Sequence, residues 1–189
     1  AGLLYMHARH YSPLTGRFLQ PDPSAAETNL YGYAANSPVS RVDPSGLEPM
    51  SPQEWAVALR YPTHGAVWIA ASFLALTSNR LLQITGRINK KQENALRHCS
   101  WQCMIAANDS PSWAATWGFL HEAYANDNNG RLDTVVDLFN NGVGRSLGRA
   151  LPGASLRWAI VLCAVAWKAG RLWYVDGSKI YSSGTGRYR

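Results

Sequence analysis

Apolar and polar residues follow two different rhythms along the chain, and the rhythm changes at the stretch "SRVDPSGLEP", Ser40 to Pro49. Upstream, Pro13, Pro21, Pro23, Pro38 and Pro44, together with Gly16, Gly32 and Gly46, leave no room for a helix of ordinary length. Proline removes a backbone donor and clashes with the preceding turn, so this part is expected as short extended pieces joined by turns. Downstream the apolar positions recur at helical spacing. Ser51, Pro52 and Glu54 form a capping-box start for a first helix in "SPQEWAVALR". Further helices are predicted over about His64–Ile84, Lys90–Asn108, Ser112–Asn126, Leu132–Ala150 and Ser155–Leu172. "LWYVDGSKIY" then reads as a small hairpin turning at Asp176-Gly177, followed by the loose tail "SSGTGRYR". The expectation is a mainly α chain of about six helices with a C-terminal hairpin, preceded by a β- and turn-rich segment, with residues 1–47 and 48–189 as its two parts.

Composition narrows this picture modestly. The chain has 189 residues, 47% of them hydrophobic and 16% charged, which is enough to bury a core and excludes disorder over most of its length. A net charge of +6 suits an anionic partner, nucleic acid or a lipid surface among them, without selecting one. Cys99, Cys103 and Cys163 are odd in number, and the spacing of the first two is not that of a zinc knuckle. They are read as small buried apolar side chains, and a disulfide scaffold is not expected. The N-terminus lacks the cationic start and apolar core of a signal peptide. The longest apolar runs, Gly65–Leu76 and Trp158–Trp167, fall short of the ~20 residues that span a bilayer.

The segments "GLLYMHARHYSPLTGRFLQPDP" and "NLYGYAANSPVSRVDPSGL", with the spacing between them, resemble the conserved end of the core of Rhs and YD-repeat proteins, the region that closes their β-cocoon. The likeness covers nearly all of positions 2 to 47. It implies that Asp-Pro-x-Gly-Leu marks a junction between a shared shell and a variable C-terminal toxin, so that residues 1–47 are a core remnant and 48–189 a helical toxin domain. In self-cleaving members the aspartate of an earlier Pro-Asp-Pro and that of Asp-Pro-x-Gly-Leu act as a protease pair. The matching positions are Asp22 and Asp43, with the cut after Leu47. Two carboxylates held close share a proton, so that one activates water while the other protonates the carbonyl. Without a cocoon to position them, both aspartates also suit plain turns before proline. The likeness further implies non-Sec export, by type VI secretion or a related system with its spike or adaptor, delivery into a target bacterial cell, and a cognate immunity protein.

Candidate chemistry sits in the predicted helices. Asn94, Arg97 or His98, and Trp101 share a face of the third; Trp113, Trp117 and His121 recur every four residues in the fourth, with Glu122 beside His121. In the fifth, Asp133, Asp137, Asn141 and Arg145 recur every four residues, with Asn140 alongside. Gly144 and Gly148 in the same helix suggest close approach of another backbone or a ligand. The run "NALRH…HE…D..NN..GR" resembles an α-helical domain at the ends of other bacterial polymorphic toxins. Arg97, His98, His121, Glu122 and Asp137 are the candidate catalytic groups. An unperturbed imidazole titrates near neutral pH, which makes His98 and His121 candidates for general acid and base, and Glu122 joins them if burial raises its pKa. Asn94, Asn140, Asn141 and Arg145 are the candidate substrate contacts, amides for an oxyanion and guanidinium for phosphate. That set suits hydrolysis or transfer at a phosphoester or glycosidic bond.

Plainer readings stand beside these. A single buried His or Asp is commonly a hydrogen-bonded core group, and tryptophans four apart are commonly core. His98, His121 and Asp137 have metal-ligand chemistry but no diagnostic spacing, so no metal is assigned and no cofactor is identified. Two other functional classes compete with an enzyme: cationic, apolar helices that insert into a bilayer and depolarise it, and a module that blocks an essential partner without chemistry.

Overall fold

The computed structural model describes residues 2–23, 29–47, 49–84, 88–124 and 130–184, with the backbone alone described at 80–84 and 156. Two compact units emerge, Ala1–Ile69 and Ala70–Arg189, and the division falls inside a long helix. The described chain is mainly helical with six α-helices and a small C-terminal hairpin, as the periodicity predicts.

In the first unit, β1 (Leu4–Met6), β2 (Arg9–Ser12) and β3 (Arg17–Phe18) form an antiparallel sheet in that order. Leu4 stands opposite Tyr11, and Tyr11 opposite Phe18. Gly16 at φ 67° supplies the left-handed position that turns β2 into β3. Phe18, Ala34, Leu47 and Met50 are buried, and the Tyr11 and Tyr33 rings lie 4.4 Å apart. Helix α1 (Pro52–Arg60) starts as its sequence predicts: the Ser51 hydroxyl accepts from the Glu54 N–H, and the Glu54 carboxylate accepts from the Ser51 N–H. Helix α2 (Pro62–Ile84) begins at Pro62, two residues before the predicted start, because proline at the first helical position is itself a start signal.

The second unit is built around α3 (Lys90–Asn108), which Asn89 and Gln92 cap reciprocally and whose residues from Ala95 to Ala107 are buried with the single exception of Arg97. Around it lie α4 (Pro111–Tyr124), α5 (Arg131–Ala150) and α6 (Leu156–Lys168). Residues Ala125 and Asn126, predicted as the end of the fourth helix, and the tail from 185 onward lie outside the described residues. Helix α6 stops four residues before its predicted end, at a turn where Gly170 adopts φ 72°. Strands β4 (Trp173–Asp176) and β5 (Lys179–Ser182) form the expected hairpin, with Gly177 at φ 61° in the turn.

Two features fix α3 against its neighbours. A Cβ at Gly144 would press on the backbone of Cys99, and one at Gly148 on the backbone of Cys103 and Ala107, so the glycines let α5 lie backbone to backbone on α3. Of the two readings that the sequence left open for them, it is the helix that approaches. The second feature corrects the cysteine reading: Cys99 and Cys163 form a disulfide linking α3 to α6 across 64 residues of sequence, with Cα atoms 5.9 Å apart. An odd cysteine count hid a pair that only helix packing brings together. Cys103 is the buried free thiol, and burial pushes its pKa up to about 11. No helix among the described residues is long and apolar enough to cross a membrane.

Candidate active site

The seam between α3 and α5, with α4 beside it, gathers most of the polar residues singled out in the sequence. Helical spacing places Asn94, His98 and Trp101 on the side of α3 that faces α5 and α4, and Asp137 and Asn141, one turn apart, answer them from α5. Asp137 Oδ1 accepts from the Asn94 amide at 2.8 Å, and the Asn94 carbonyl accepts from Arg97 at 2.6 Å. The His98 ring lies between two carboxylates, with Nδ1 3.5 Å from Glu122 Oε1 and Nε2 3.6 Å from Asp137 Oδ2. His98 Nδ1 also stands 3.1 Å from Asn141 Oδ1. An amide oxygen only accepts, so Nδ1 carries the proton and Nε2 presents its lone pair to Asp137. The Asn141 amide nitrogen donates to Glu122 at 3.4 Å.

His121 completes the group from α4. Its ring is edge-on to Trp101 with centroids 5.3 Å apart, and 6.0 Å from that of His98. Trp117 is fully buried and Trp113 half-buried, which favours a core role for the four-residue tryptophan pattern.

Burial sets the electrostatics. Asp137 is 1% exposed, and its Oδ2 has no hydrogen-bond partner among the described residues. Desolvation first, then the Glu122 charge, raises its pKa to about 7, against the lowering pull of Arg97 and His121. His98 moves the other way: desolvation, then the positive charges of Arg97 and His121, hold it well below the ordinary histidine value, so the ring is neutral. A neutral imidazole and a carboxyl that titrates near pH 7 are an acid and base pair suited to proton transfer. His98, Glu122 and Asp137 also each offer a ligand atom within 4.8 Å of the others, a set that includes Glu122 where the sequence pointed to His121.

Two predicted substrate contacts have other engagements. The Asn140 amide donates to the Trp173 carbonyl and accepts from the Trp173 N–H, both at 2.9 Å, while the Trp173 ring stacks on Phe139. Asn140 thus ties β4 to α5, and its neighbour Asn141 alone serves the cluster. Arg145 donates to Gln102 at 3.1 Å and lines a cavity of about 370 Å³ with Pro111, Gly142, Ser146 and Arg149, away from the cluster residues. Gln102, fully buried against Gly118, escaped sequence reasoning, since a glutamine inside an apolar helix carries no pattern of its own.

The first unit brings Asp22 and Asp43 to one cation. Arg9 NH2 lies 3.4 Å from Asp22 Oδ2 and 3.5 Å from Asp43 Oδ2. Arg9 is 2% exposed; it also donates to the carbonyls of Gly46 and Leu30, and its guanidinium stacks 3.7 Å over Phe18. A guanidinium held by both carboxylates changes the expectation of a proton shared between them. Nothing in the sequence marked Arg9, because its partners are 13 and 34 residues away. Asp43 Oδ1 accepts from the Leu47 N–H at 3.0 Å and the Ser45 hydroxyl at 3.1 Å. Desolvation raises Asp43 to about 6, with Arg9 opposing. The residue after the expected cut, Glu48, lies outside the described residues.

A family model described as a domain of unknown function, DUF6973, matches residues 55–170, a span that contains every member of the α3, α4 and α5 cluster. Among curated proteins, salivary gland surface protein 1 of Aedes aegypti is 53% identical over 45 residues, covering 24% of this chain and 1% of that protein. The uncharacterized protein YlbH of Escherichia coli (strain K12) is 45% identical over 51 residues, covering 26% of this chain and 21% of that protein. The chain therefore spans only a small part of either relative. No solved structure matches.

Proposed function

The chain belongs to the DUF6973 family, which is described without an activity, and from that premise we propose that its helical domain is a hydrolytic toxin carried at the end of an Rhs-type effector. The observation that carries the enzymatic half is the desolvated group of His98, Glu122 and Asp137, two carboxylates on either side of one neutral imidazole. Burying such groups costs several kcal/mol unless they are paired or used. His98, Glu122 and Asp137 are the groups that hold and move protons, His121 lines the same site, and Arg97 and Asn141 fix their orientation. A scissile phosphoester or glycosidic bond is the substrate class that such a set serves. The likeness of residues 2–47 to the end of an Rhs core supports the other half: delivery into a competing bacterium by a type VI or related route, a neighbouring immunity protein, and Asp22 and Asp43 as the pair that cuts after Leu47 within a complete cocoon.

The test is growth of bacteria expressing the 189-residue chain, in the cytoplasm and separately exported to the periplasm, with His121→Ala and Asp137→Asn compared at matched soluble levels. Arrest by the unmodified chain in either compartment, relieved by both substitutions, is the expected result. Equal arrest by all three proteins refutes a catalytic site here and moves membrane insertion or blockade of a partner ahead.

A further inference from the structure

The polar cluster between α3, α4 and α5 contains a contact that protons alone do not complete. His98 Nδ1 stands 3.1 Å from the Asn141 amide oxygen, which only accepts, so in the neutral ring the proton sits on Nδ1 and Nε2 offers its lone pair. Nε2 stands 3.6 Å from Asp137 Oδ2, and that oxygen has no hydrogen-bond partner among the described residues although Asp137 is 1% exposed. Two acceptors this close together in a desolvated place repel. A proton on Asp137 would not repair the contact, because 3.6 Å exceeds the length of a hydrogen bond. A cation between the two atoms would, since two ligands on one ion at bonds of ~2.1 Å and a tetrahedral angle stand roughly 3.4 Å apart.

The surroundings have the form of support for such an ion. Glu122 brings a second carboxylate, and one ligand atom from each of His98, Glu122 and Asp137 lies within 4.8 Å of the others. Each of the three is held at an atom by an asparagine: Asn94 on Asp137 Oδ1, Asn141 on His98 Nδ1 and on Glu122 Oε1. Hydrogen bonds that fix the orientation and tautomer of ligands are the usual second layer of a metal centre. Two carboxylates and a neutral imidazole carry a charge of −2, which a divalent ion neutralises.

We infer that His98, Glu122 and Asp137 hold one divalent transition-metal ion, best matched by zinc, with coordination positions left open for water and substrate. The mixed nitrogen and oxygen set favours zinc or manganese over magnesium or calcium, which take oxygen ligands. This rests on the hydrolytic reading of the same site and deepens it: with the ion bound, His98, Glu122 and Asp137 serve as its ligands, and the moving of protons passes to groups beside them. A three-ligand centre lowers the pKa of a bound water and polarises a phosphoryl or carbonyl oxygen, and His121, whose ring centroid lies 6.0 Å from that of His98, is a group outside the ligand set placed to exchange protons there.

The experiment is a titration of the chelator-stripped, full-length chain with Co2+ as a spectroscopic stand-in, followed by competition with Zn2+. The expected result is saturation at one equivalent, visible ligand-field bands without a sulfur-to-cobalt charge-transfer band, and displacement by Zn2+. Changes in supporting residues alone cost 10- to 100-fold in metal affinity, so Asp137→Asn and Glu122→Gln should each weaken binding by at least ~100-fold. His10→Ala, which alters a histidine of the first unit, should leave binding unchanged. Circular dichroism establishes that each variant is folded, and Glu122→Gln stands as the test if Asp137→Asn is not. Absence of one-equivalent binding, a thiolate band, or equal affinity in the folded variants overturns the inference. The two proposals separate cleanly. Arrest relieved by His121→Ala in a protein that binds no metal sinks the metal site alone, and one-equivalent binding in a protein whose site variants still arrest growth sinks the hydrolytic reading alone.

Discussion

The same substitution placed at two glycines of α5, two residues apart, should have opposite effects on stability. Glycine inside a helix costs about 1 kcal/mol relative to alanine, so Gly→Ala is favourable wherever there is room. At Gly142 there is room: the nearest atom to an added Cβ is a terminal nitrogen of Arg145 at 3.8 Å, an ordinary contact with a movable group. At Gly144 the added carbon would lie 3.0 Å from both the Cys99 carbonyl carbon and the Gln102 Cβ, and nearer still to the Cys99 carbonyl oxygen. That oxygen belongs to the buried backbone of α3 and cannot rotate away, so the helices must separate. Overpacking of this kind costs about 1–3 kcal/mol, and the separation also draws Asp137 and Asn141 away from His98. Gly142→Ala is therefore expected to stabilise the chain by up to about 1 kcal/mol, and Gly144→Ala to destabilise it by up to about 2 kcal/mol after the propensity gain is subtracted. For a chain of this size, 1 kcal/mol corresponds to roughly 2–4 °C in Tm. Thermal and urea unfolding followed by helical circular dichroism measures both. A Gly144→Ala protein as stable as Gly142→Ala would refute the backbone-contact account of the α3 and α5 seam.

Three further expectations concern other parts of the chain. Asn140→Ala leaves the Trp173 N–H and carbonyl unpaired, and should cost about 2–3 kcal/mol and release the hairpin, seen as lost amide protection at Trp173 by hydrogen exchange. Removing the disulfide with Cys99→Ala and Cys163→Ala together opens a 64-residue loop; the chain-entropy relation gives about 4 kcal/mol, read as a lower urea midpoint than that of the oxidised parent. Burial holds the folded pKa of Asp43 up at about 6, above the ordinary aspartate value of about 3.9, so its contribution favours folding fully below pH ~4 and fades as pH rises through about 6, by roughly 3 kcal/mol at most. Urea unfolding monitored at β2 amides by NMR should show this decline between pH 4 and 7, and Asp43→Asn should reduce it, leaving the part that the raised Asp137 contributes.

Much of this architecture was legible because its signals are local. The Ser51 and Glu54 pair marks the start of α1, and α3 runs over the residues its periodicity picks out. The hairpin turns at Asp176-Gly177 because glycine takes the left-handed position there. The candidate site was legible in part for the same reason: four-residue spacing places Asp137 and Asn141 on one face, and the helices bring that face to His98. What could not be read lies in contacts between distant elements. Arg9 meets aspartates from two later turns, Cys99 finds Cys163 only once α6 packs, and Asn140 faces the hairpin while the adjacent Asn141 faces the site. Adjacent helical residues point about 100° apart, so the sequence showed that both asparagines were unusual without showing which one served the cluster.

The link between Cys99 and Cys163 also says something about place and time. Disulfides persist in oxidising compartments and are reduced in an ordinary bacterial cytosol. The same chain thus has two covalent forms open to it, a pair of thiols in reducing surroundings and a cross-link in oxidising ones. Cys99 directly follows His98 on α3, so the helix that carries the imidazole is also the one whose tether to α6 is made or broken as the redox surroundings change. The domain carries in its own covalent structure a record of the surroundings in which it last folded.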